Sequence, residues 1–163
     1  MASKADTKVA LDDTDLHIIE QLQEDGRRPY TQIARVVGLS EAAVRQRAQR
    51  LIDAGVVQIV GVTDPKMVGY GRQAMIGLSV EGDTRRVADV VAAMDEVIYV
   101  VLTAGSLDVL VEVVVEDDQH LLDLLNDKIR AIDGVRDTET FVYLRIHKET
   151  YVWGARESTG HPT

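Results

Sequence analysis

Two short groups of residues combine side chains that could bind a ligand or a nucleic acid. The first is Gly105-Ser106-Leu107-Asp108, which follows Thr103 and separates two apolar runs. Its glycine lets the backbone turn sharply and present amide N–H groups to a carboxylate, while Asp108 can accept hydrogen bonds from an ammonium group. The hydroxyls of Thr103 and Ser106 add further polar groups. The same residues suit a plain hairpin loop in which Asp108 caps turn amides, and the local string by itself favours that hairpin.

The second group lies in the stretch "GLSEAAVRQRAQRLIDAG", where Val44, Ala48 and Leu51 recur at helical spacing. If these three residues face a core, the opposite face carries two small residues and four long polar ones: Ala42, Ala43, Arg45, Gln46, Gln49 and Arg50. Arginine binds guanine edges through two hydrogen bonds, glutamine does the same with adenine, and alanines let a helix lie close in the major groove. The alternative is a solvated helix face whose charges serve solubility alone.

Three helices are expected to position this second group. Apolar residues at three-to-four spacing predict a first helix with a stripe of Leu16, Ile19 and Leu22, flanked by Leu11 and Ile18. A second helix covers about Thr31–Val37 and a third covers Glu41 to about Ala54, with Thr31 and Ser40 as candidate N-caps. A small alanine, a turn glycine, then valine and leucine make the helix-turn-helix pattern, here Ala34, Gly38, Val44 and Leu51. That pattern favours DNA contact over a merely solvated face.

Residues beside the third helix's outer face have other expected roles. Arg47 lies one turn from both Val44 and Leu51, at the edge of the buried stripe, so we expect an ion pair with Asp15 or Asp25 rather than a base contact. Polar residues that flank the second helix and begin the third are candidates for DNA contact, chiefly to phosphates: Arg27, Arg28, Thr31, Gln32 and Ser40. For the four residues that flank the second helix, solvated side chains with no specific contact are an equally good interpretation.

The second half of the chain contains an internal repeat. "AMDEV" at 93–97 and "AIDGV" at 131–135 each end an apolar-striped helix, and alternating apolar residues predict a strand before each helix. The expected helix stripes are Val87, Val90, Val91 and Met94, then Leu121, Leu122, Leu125, Ile129 and Ile132. A final strand spans about Thr138–Ile146. Two tandem βαβ units predict a ferredoxin-like βαββαβ sandwich, an antiparallel sheet covered by two helices. Between the halves, "VVQIVGVTDP" predicts a strand that leads into a linker.

These features together resemble the Lrp/AsnC, or feast/famine, family of transcription regulators. The likeness covers about Leu11 to Trp153 and rests on "LDDTDLHIIEQLQEDGRRPYTQIARVVGLS", on "GLSEAAVRQRAQRLIDAGVVQIVGV" and on "TAGSLD" within the βαββαβ half. It implies an α+β chain with an N-terminal helix-turn-helix (winged-helix-like) domain and a C-terminal ferredoxin-like sensor domain. The expected boundaries are a disordered tail at 1–10, the DNA-binding domain at 11–60, a linker at 61–72, the sensor at 73–153 and a tail at 154–163.

The resemblance also implies partners and a site. The expected partners are double-stranded operator DNA, a small effector such as an amino acid or related metabolite, and further copies of the chain as a homodimer that assembles to an octamer. In the family, the loop with a Gly-x-x-Asp element forms the effector site near the dimer interface, which here implies Thr103, Gly105, Ser106, Leu107 and Asp108. Thr138 and Thr140 match a T-x-T feature of the family and are expected to approach this site, although ordinary strand propensity explains them equally well. Several relatives carry an aromatic residue within the element, so Leu107 implies a different effector preference.

Composition narrows the remaining possibilities. The chain has 163 residues, no Cys and a net charge of −9, and the excess acid lies beyond residue 60, where ten basic residues face eighteen acidic ones. Cys chemistry is excluded, and a reducing cytoplasm is the expected location. The N-terminus lacks a signal peptide's apolar core, no run approaches the ~20 apolar residues of a membrane span, and the four His show no metal-ligand spacing. We therefore expect no cofactor, no metal and no enzyme activity; the alternatives are a sirohaem-decarboxylase-like enzyme on the same scaffold and a metabolite sensor that does not bind DNA.

Overall fold

The computed structural model describes residues 10–150, which form two compact units. The first comprises the described residues up to Gly61 together with those from Lys148 onward, and the second comprises Val62–His147. Residues 1–9 of the expected tail at 1–10 lie outside this range, as do the expected tail at 154–163 and the end of the expected sensor domain at 151–153. Within the described residues, no helix has the length and apolar composition of a membrane span.

Three helices form the first unit: α1 (Asp13–Glu24), α2 (Tyr30–Val37) and α3 (Glu41–Asp53). Asp12 caps α1 by accepting the Asp15 N–H at 2.8 Å, and the Asp15 side chain accepts the Asp12 N–H in return. Ser40 caps α3 through the Ala43 N–H at 3.2 Å, so this N-cap is confirmed. The N-cap expected at Thr31 is wrong, because α2 begins one residue earlier with Pro29 at its cap position and no side-chain bond.

The first unit's core contains apolar residues from all three helices: Ile18, Ile19, Leu22, Ile33, Ala34, Val44, Ala48 and Leu51. On α3 the expected stripe of Val44, Ala48 and Leu51 is confirmed. On α1 the buried stripe is rotated from the expected one, since Leu16 is half-buried and Leu11 is exposed. Gly38 has a φ of 71°, a left-handed conformation that ends α2 and permits the tight turn into α3.

The strand expected in "VVQIVGVTDP" is absent. Residues 57–64 belong to no helix or strand, and a short 3₁₀ turn follows at Pro65–Val68. Val60 and Val62 are 69% and 60% exposed. Strand propensity alone does not make a strand, since a ladder needs a neighbouring edge, and none pairs with this segment in the described chain.

Four strands and two helices form the second unit in the order β1 (Arg72–Val80), α4 (Thr84–Ala92), β2 (Val97–Leu102), β3 (Val109–Val115), α5 (Asp118–Asp123) and β4 (Val135–Val142). The strands pair antiparallel in the order β2-β3-β1-β4, which confirms the ferredoxin-like arrangement. A π-helical turn, Leu124–Ile129, continues α5. The last strand begins three residues before the expected Thr138 and ends at Val142, where its pairing with β1 reaches Ala74.

The core of the second unit lies between the helices and one face of the sheet. Its strand residues alternate, as expected: Ala74, Ile76 and Leu78 on β1, then Val109, Val111, Val113 and Val115 on β3. Two expected stripe residues are instead exposed, Val90 at 40% and Leu122 at 49%, while Leu124 is fully buried. The π-helical turn places Leu124 and Ile129, five residues apart, on the same buried side, because a wider turn alters which side chains face the sheet.

Candidate nucleic-acid interface and effector site

The exposed side of α3 brings together most of the residues expected to read DNA. Ala42, Arg45, Gln46, Gln49 and Arg50 are all exposed and line one open groove with Asp53 and Ala54; we call these first five residues the α3 face. Ala43, which was expected beside them, is half-buried. The face therefore offers two arginine and two glutamine side chains, with a small residue near the helix N-terminus.

Arg45 is held by two neighbours within the first unit. Its Nη2 donates a hydrogen bond to Glu41 Oε1 at 2.6 Å, one helical turn away. Its guanidinium carbon also lies 5.4 Å from the centre of the Tyr30 ring, within the range of a cation–π contact. Tyr30 was not singled out from the sequence, because its position one residue before the expected start of α2 hid its contact with α3.

The buried carboxylate of Asp15 joins α1 to two arginines of α3. Arg47 donates to Asp15 Oδ1 at 2.8 Å and to Asp12 Oδ2 at 2.7 Å, which confirms the ion pair expected for Arg47 and identifies its partner. The alternative partner, Asp25, instead accepts the backbone N–H of Arg27. Hydrogen bonds from Arg47 lower the pKa of Asp12, and the bonds to both carboxylates raise the pKa of Arg47. Arg50 also donates to Asp15. Arg50, a residue of the α3 face, is therefore held by an acid of α1, although about half of its side chain is exposed.

The residues expected to flank the DNA lie at the start of α2 and before it. Thr31 and Gln32 are exposed in the first turn of α2. Arg28 is bound to the side chain of Gln21 and to Glu24, the latter at 3.0 Å, so its guanidinium is already paired with an acid. Arg27 is exposed, and its backbone N–H donates to Asp25 Oδ1.

The loop between β2 and β3 is tied to the sheet by its own polar groups. Asp108 Oδ2 accepts the Val80 N–H at 2.7 Å, and the Asp108 N–H donates to the Leu78 carbonyl at 2.8 Å. Thr103 closes the loop with two hydrogen bonds. Its N–H donates to the Asp108 carbonyl, and its hydroxyl donates to the Leu107 carbonyl. Asp108 therefore caps a backbone amide, as the hairpin interpretation expects. The capped amide belongs to Val80 of β1 and not to the turn that contains Asp108.

Leu107 lies over Gly77, on the side of the sheet away from the helices. A Cβ added to Gly77 would overlap Leu107 Cδ1 and lie 3.1 Å from its Cγ. Gly77 is needed for this close approach, a role the sequence analysis did not assign. Gly105 was expected to permit a sharp turn, yet its φ is not positive and a Cβ there would meet nothing within 4 Å. Gly105 and Ser106 are both exposed.

The two threonines of β4 lie on the side of the sheet that the helices cover, opposite to Leu107. Thr138 pairs with Leu78 and Thr140 with Ile76, so both threonines share the helix-covered side with those core residues. Thr138 Oγ1 accepts a hydrogen bond from Arg130 Nε at 3.0 Å. One subunit thus does not bring these threonines to the side of the sheet that Leu107 covers.

The side of the sheet away from the helices, which we call the outer sheet face, is partly apolar. Apolar residues of all four strands lie on it: Tyr99 and Val101 of β2, Leu110 of β3, Met75 of β1 and Phe141 of β4. Tyr99 is 51% exposed and Phe141 is 47% exposed. Gln73 donates to Glu112 Oε1 at 2.9 Å within this face. Burial, together with the charge and hydrogen bonding of Glu112, raises the pKa of Tyr143 to about 12.

A charged cluster on the helix side was not foreseen from the sequence. Glu96, which precedes β2 and whose side chain is 10% exposed, accepts hydrogen bonds from Lys128 at 2.5 Å and His120 at 3.2 Å. The Lys128 bond outweighs burial and lowers the pKa of Glu96 to about 2. Glu96 precedes His120 by 24 residues and Lys128 by 32, so no local spacing signals the cluster. Across residues 10–150, no three His, Asp or Glu side chains are grouped so as to hold a metal ion.

Family models match both units. The AsnC-type helix-turn-helix domain matches residues 11–52, and the Lrp/AsnC ligand binding domain matches residues 73–153. Together these matches cover most of the chain, with the helix-turn-helix preceding the ligand-binding domain, as in the resemblance described above.

Known proteins with the same organisation are similar over nearly their whole length. The chain is 35% identical to the HTH-type transcriptional regulator FL11 of Pyrococcus furiosus, covering 86% of this chain and 93% of that one. Among solved structures, a transcriptional regulator from Neisseria meningitidis in complex with L-Met has a TM-score of 0.79 at 29% identity, with 88% and 96% of the two chains covered. Escherichia coli AsnC has a TM-score of 0.77 at 25% identity, with 86% and 97% covered.

Proposed function

Because the chain belongs to the Lrp/AsnC family of transcriptional regulators, we propose that it binds a specific operator sequence and that a small effector changes this binding. The chain carries a helix-turn-helix DNA-binding domain and a ligand-binding domain. The finer proposal is that α3 reads base edges in the major groove, that the loop at 103–108 contributes to an effector site, and that an amino acid or related metabolite is the effector.

The observation that carries the DNA-binding part is the exposed α3 face. Arg45, Gln46 and Gln49 stand on one exposed side of a helix that is packed against α1 and α2 through its opposite side. In major-groove recognition, arginine binds guanine O6 and N7, and glutamine binds adenine N6 and N7. Ala42 lets the helix approach the base pairs closely.

Phosphate contacts flank this face in the proposal. Thr31 and Gln32 have exposed polar side chains in the first turn of α2. The Ser40 oxygen accepts the Ala43 N–H, which leaves its hydroxyl hydrogen to donate to a phosphate oxygen. Arg50, anchored by Asp15, presents the remainder of its guanidinium beside the α3 face. Such contacts set the register on the duplex without reading its sequence.

The effector part of the proposal centres on Asp108 and the exposed residues that precede it. Asp108 Oδ2 binds the Val80 N–H, so Oδ1 is the oxygen that would accept an effector ammonium group. The hydroxyl of exposed Ser106 can donate to an effector carboxylate. The structurally similar Neisseria meningitidis regulator in complex with L-Met supports an amino-acid effector. The threonines of β4 would join this site only through rearrangement or a second subunit.

A homodimer, assembling further to an octamer, completes the proposal. The helices cover one side of the four-stranded sheet and leave the partly apolar outer sheet face for a second copy. A face with half-exposed Tyr99 and Phe141 is typical of an interface rather than a solvated surface. A dimer brings two α3 faces to one operator. Because the two DNA-binding domains are then linked, the apparent affinity for DNA rises, although each domain has few basic residues.

The test uses the full-length chain in two steps. Selection from a random duplex pool is expected to enrich one sequence, and calorimetry with L-methionine and other amino acids is expected to give saturable heat from at least one. That effector should then shift the affinity for the enriched duplex. A pool with no enriched sequence would overturn the DNA-binding proposal, and an effector that binds without changing DNA affinity would overturn the coupling.

A further inference from the structure

We propose that Tyr30 is a positioning residue for base recognition, whose ring holds the Arg45 guanidinium ready to bind a guanine in the major groove. This inference rests on the proposed function, because it assigns one base preference to the α3 face and one residue outside α3 to its control. Tyr30 itself does not touch the DNA in this arrangement; it acts through Arg45.

Tyr30 is suited to this role because its own position is fixed. It is the first residue of α2, it is half-buried, and it packs against the core formed by the three helices. Pro29 precedes it with a φ of −59°, and the proline ring restricts the backbone directly before Tyr30. One end of the contact with Arg45 is therefore held by the fold rather than by the surface.

Arg45 is the mobile end of the contact. Its side chain is 63% exposed, and a long side chain at this exposure samples several rotamers unless neighbours select one. Glu41 binds one guanidinium nitrogen, Nη2, and the Tyr30 ring faces the guanidinium carbon at 5.4 Å. These two contacts select a conformation in the free protein, so less side-chain freedom is lost when DNA binds.

The selected conformation matches what guanine requires. A guanidinium carries five N–H donors in a plane, and binding guanine uses two of them against O6 and N7. Glu41 occupies Nη2 alone, and no other acceptor in residues 10–150 is bound to Arg45. The Tyr30 ring, 5.4 Å from the guanidinium carbon, is not a carboxylate that would compete for the remaining N–H donors.

The contrast with Arg50 supports this division of roles. Each arginine gives one nitrogen, Nη2, to one carboxylate: Arg50 to buried Asp15 on α1, and Arg45 to exposed Glu41 on its own helix. Arg45 alone of the two also has an aromatic ring over its guanidinium carbon. Arg50 is therefore tied to a buried acid of another helix, whereas the conformation of Arg45 is selected by an exposed acid and a ring.

The experiment compares Tyr30→Leu with the matched control Tyr30→Phe in the full-length chain. The probes are a duplex enriched by this chain from a random pool and a scrambled duplex of the same composition, with affinities measured by fluorescence anisotropy. Tyr30→Phe keeps the ring and is expected to keep the ratio of the two affinities. Tyr30→Leu is expected to lower that ratio by about two- to fivefold, the range for an exposed cation–π contact, with the scrambled duplex bound as before.

Arg45→Ala and a modified base separate positioning from general damage to the fold. Replacing one guanine of the enriched duplex with 7-deazaguanine removes the N7 acceptor, and one such position is expected to weaken wild-type binding but not binding by Arg45→Ala. Tyr30→Leu should add no further loss in the Arg45→Ala background. If Tyr30→Leu does not fold, Tyr30→Met supplies an apolar side chain without a ring face for the same comparison.

The possible outcomes distinguish this inference from the proposed function. Equal ratios for Tyr30→Leu and Tyr30→Phe, with Arg45→Ala still impaired, would overturn the positioning role and leave the α3 face intact as the reader. No effect of Arg45→Ala on the ratio would overturn guanine recognition by Arg45 itself. A further loss from Tyr30→Leu in the Arg45→Ala background would show that Tyr30 acts through the fold instead.

Discussion

Asp15 on α1 accepts a hydrogen bond from Arg47 on α3 at 2.8 Å, across 32 residues of sequence and with the acid only 1% exposed. The same carboxylate binds Arg50, so one buried charge sets the distance between α1 and the helix proposed to read DNA. A buried carboxylate that loses charge leaves its arginine partners without their counter-ion.

Asp15→Asn is therefore expected to lower the free energy of unfolding by about 2–4 kcal/mol, because it leaves two arginines beside a neutral buried group. Urea unfolding of the full-length chain, followed by circular dichroism, measures this change. Asp25→Asn is the control, since the Asp25 side chain accepts the backbone N–H of nearby Arg27, and it is expected to change the free energy by no more than about 0.5 kcal/mol. Equal effects of the two changes would contradict the assignment.

Gly77→Ala is expected to cost about 1–3 kcal/mol of stability, since its Cβ would overlap the Leu107 side chain. The test is a double-mutant cycle in urea with Leu107→Ala. In the Leu107→Ala background the Gly77→Ala change should cost much less, because the overlapping atoms are gone. Costs that add independently would mean that Gly77 is needed for its backbone and not for the approach of Leu107.

Because the pKa of Glu96 is low in the folded protein, we expect the free energy of unfolding to depend on pH in the acidic range. Its pKa falls from 4.5 to about 2 on folding, so its contribution is present above pH 4.5 and is lost as the pH falls toward 2. The contribution is at most about 3 kcal/mol at neutral pH. Lys128→Met removes the largest cause of the shift, so we expect a flatter fall in the free energy of unfolding between pH 5 and 2. Unfolding curves for the variant that parallel those of the wild type would contradict this origin.

Asp108→Asn separates the structural role of Asp108 from its proposed role in binding an effector. The amide oxygen of asparagine can still accept the Val80 N–H, so the thermal melting temperature should stay close to that of the wild type. The lost negative charge should weaken binding of an amino-acid ammonium group by tenfold or more. Calorimetry with L-methionine and the other amino acids measures this, with Asp89→Asn, at an exposed position of α4, as the control. Undiminished heat from Asp108→Asn would remove Asp108 from the site.

Sequence patterns predicted the features of this chain that depend on local spacing. The cap at Ser40 and the stripe of Val44, Ala48 and Leu51 are local signals, and both are confirmed. The repeat of two βαβ units also predicted the sheet, because strands and helices alternate with distinct periods. The ion pair of Arg47 was foreseen from its place at the edge of a stripe, although two acids were candidates.

Features that depend on distant residues were not predictable in the same way. The β-branched segment after α3 lacks a neighbouring strand in the described chain, and no local signal reveals whether such an edge exists. The approach of Leu107 to Gly77 and the cation–π contact of Arg45 with Tyr30 require the packed arrangement of separate elements. The wider turn at Leu124–Ile129 moved the expected stripe because the sequence was read at a constant helical period.

The most direct test of sequence reading by α3 is the affinity ratio between an enriched duplex and a scrambled one for Arg45→Ala. Arg35→Ala, exposed in the last turn of α2 and outside the α3 face, is the matched control. Losing two hydrogen bonds to a base should lower the ratio for Arg45→Ala by about five- to a hundredfold while that for Arg35→Ala stays near the wild-type value. An Arg45→Ala ratio equal to that of Arg35→Ala would contradict sequence reading through Arg45 on the α3 face.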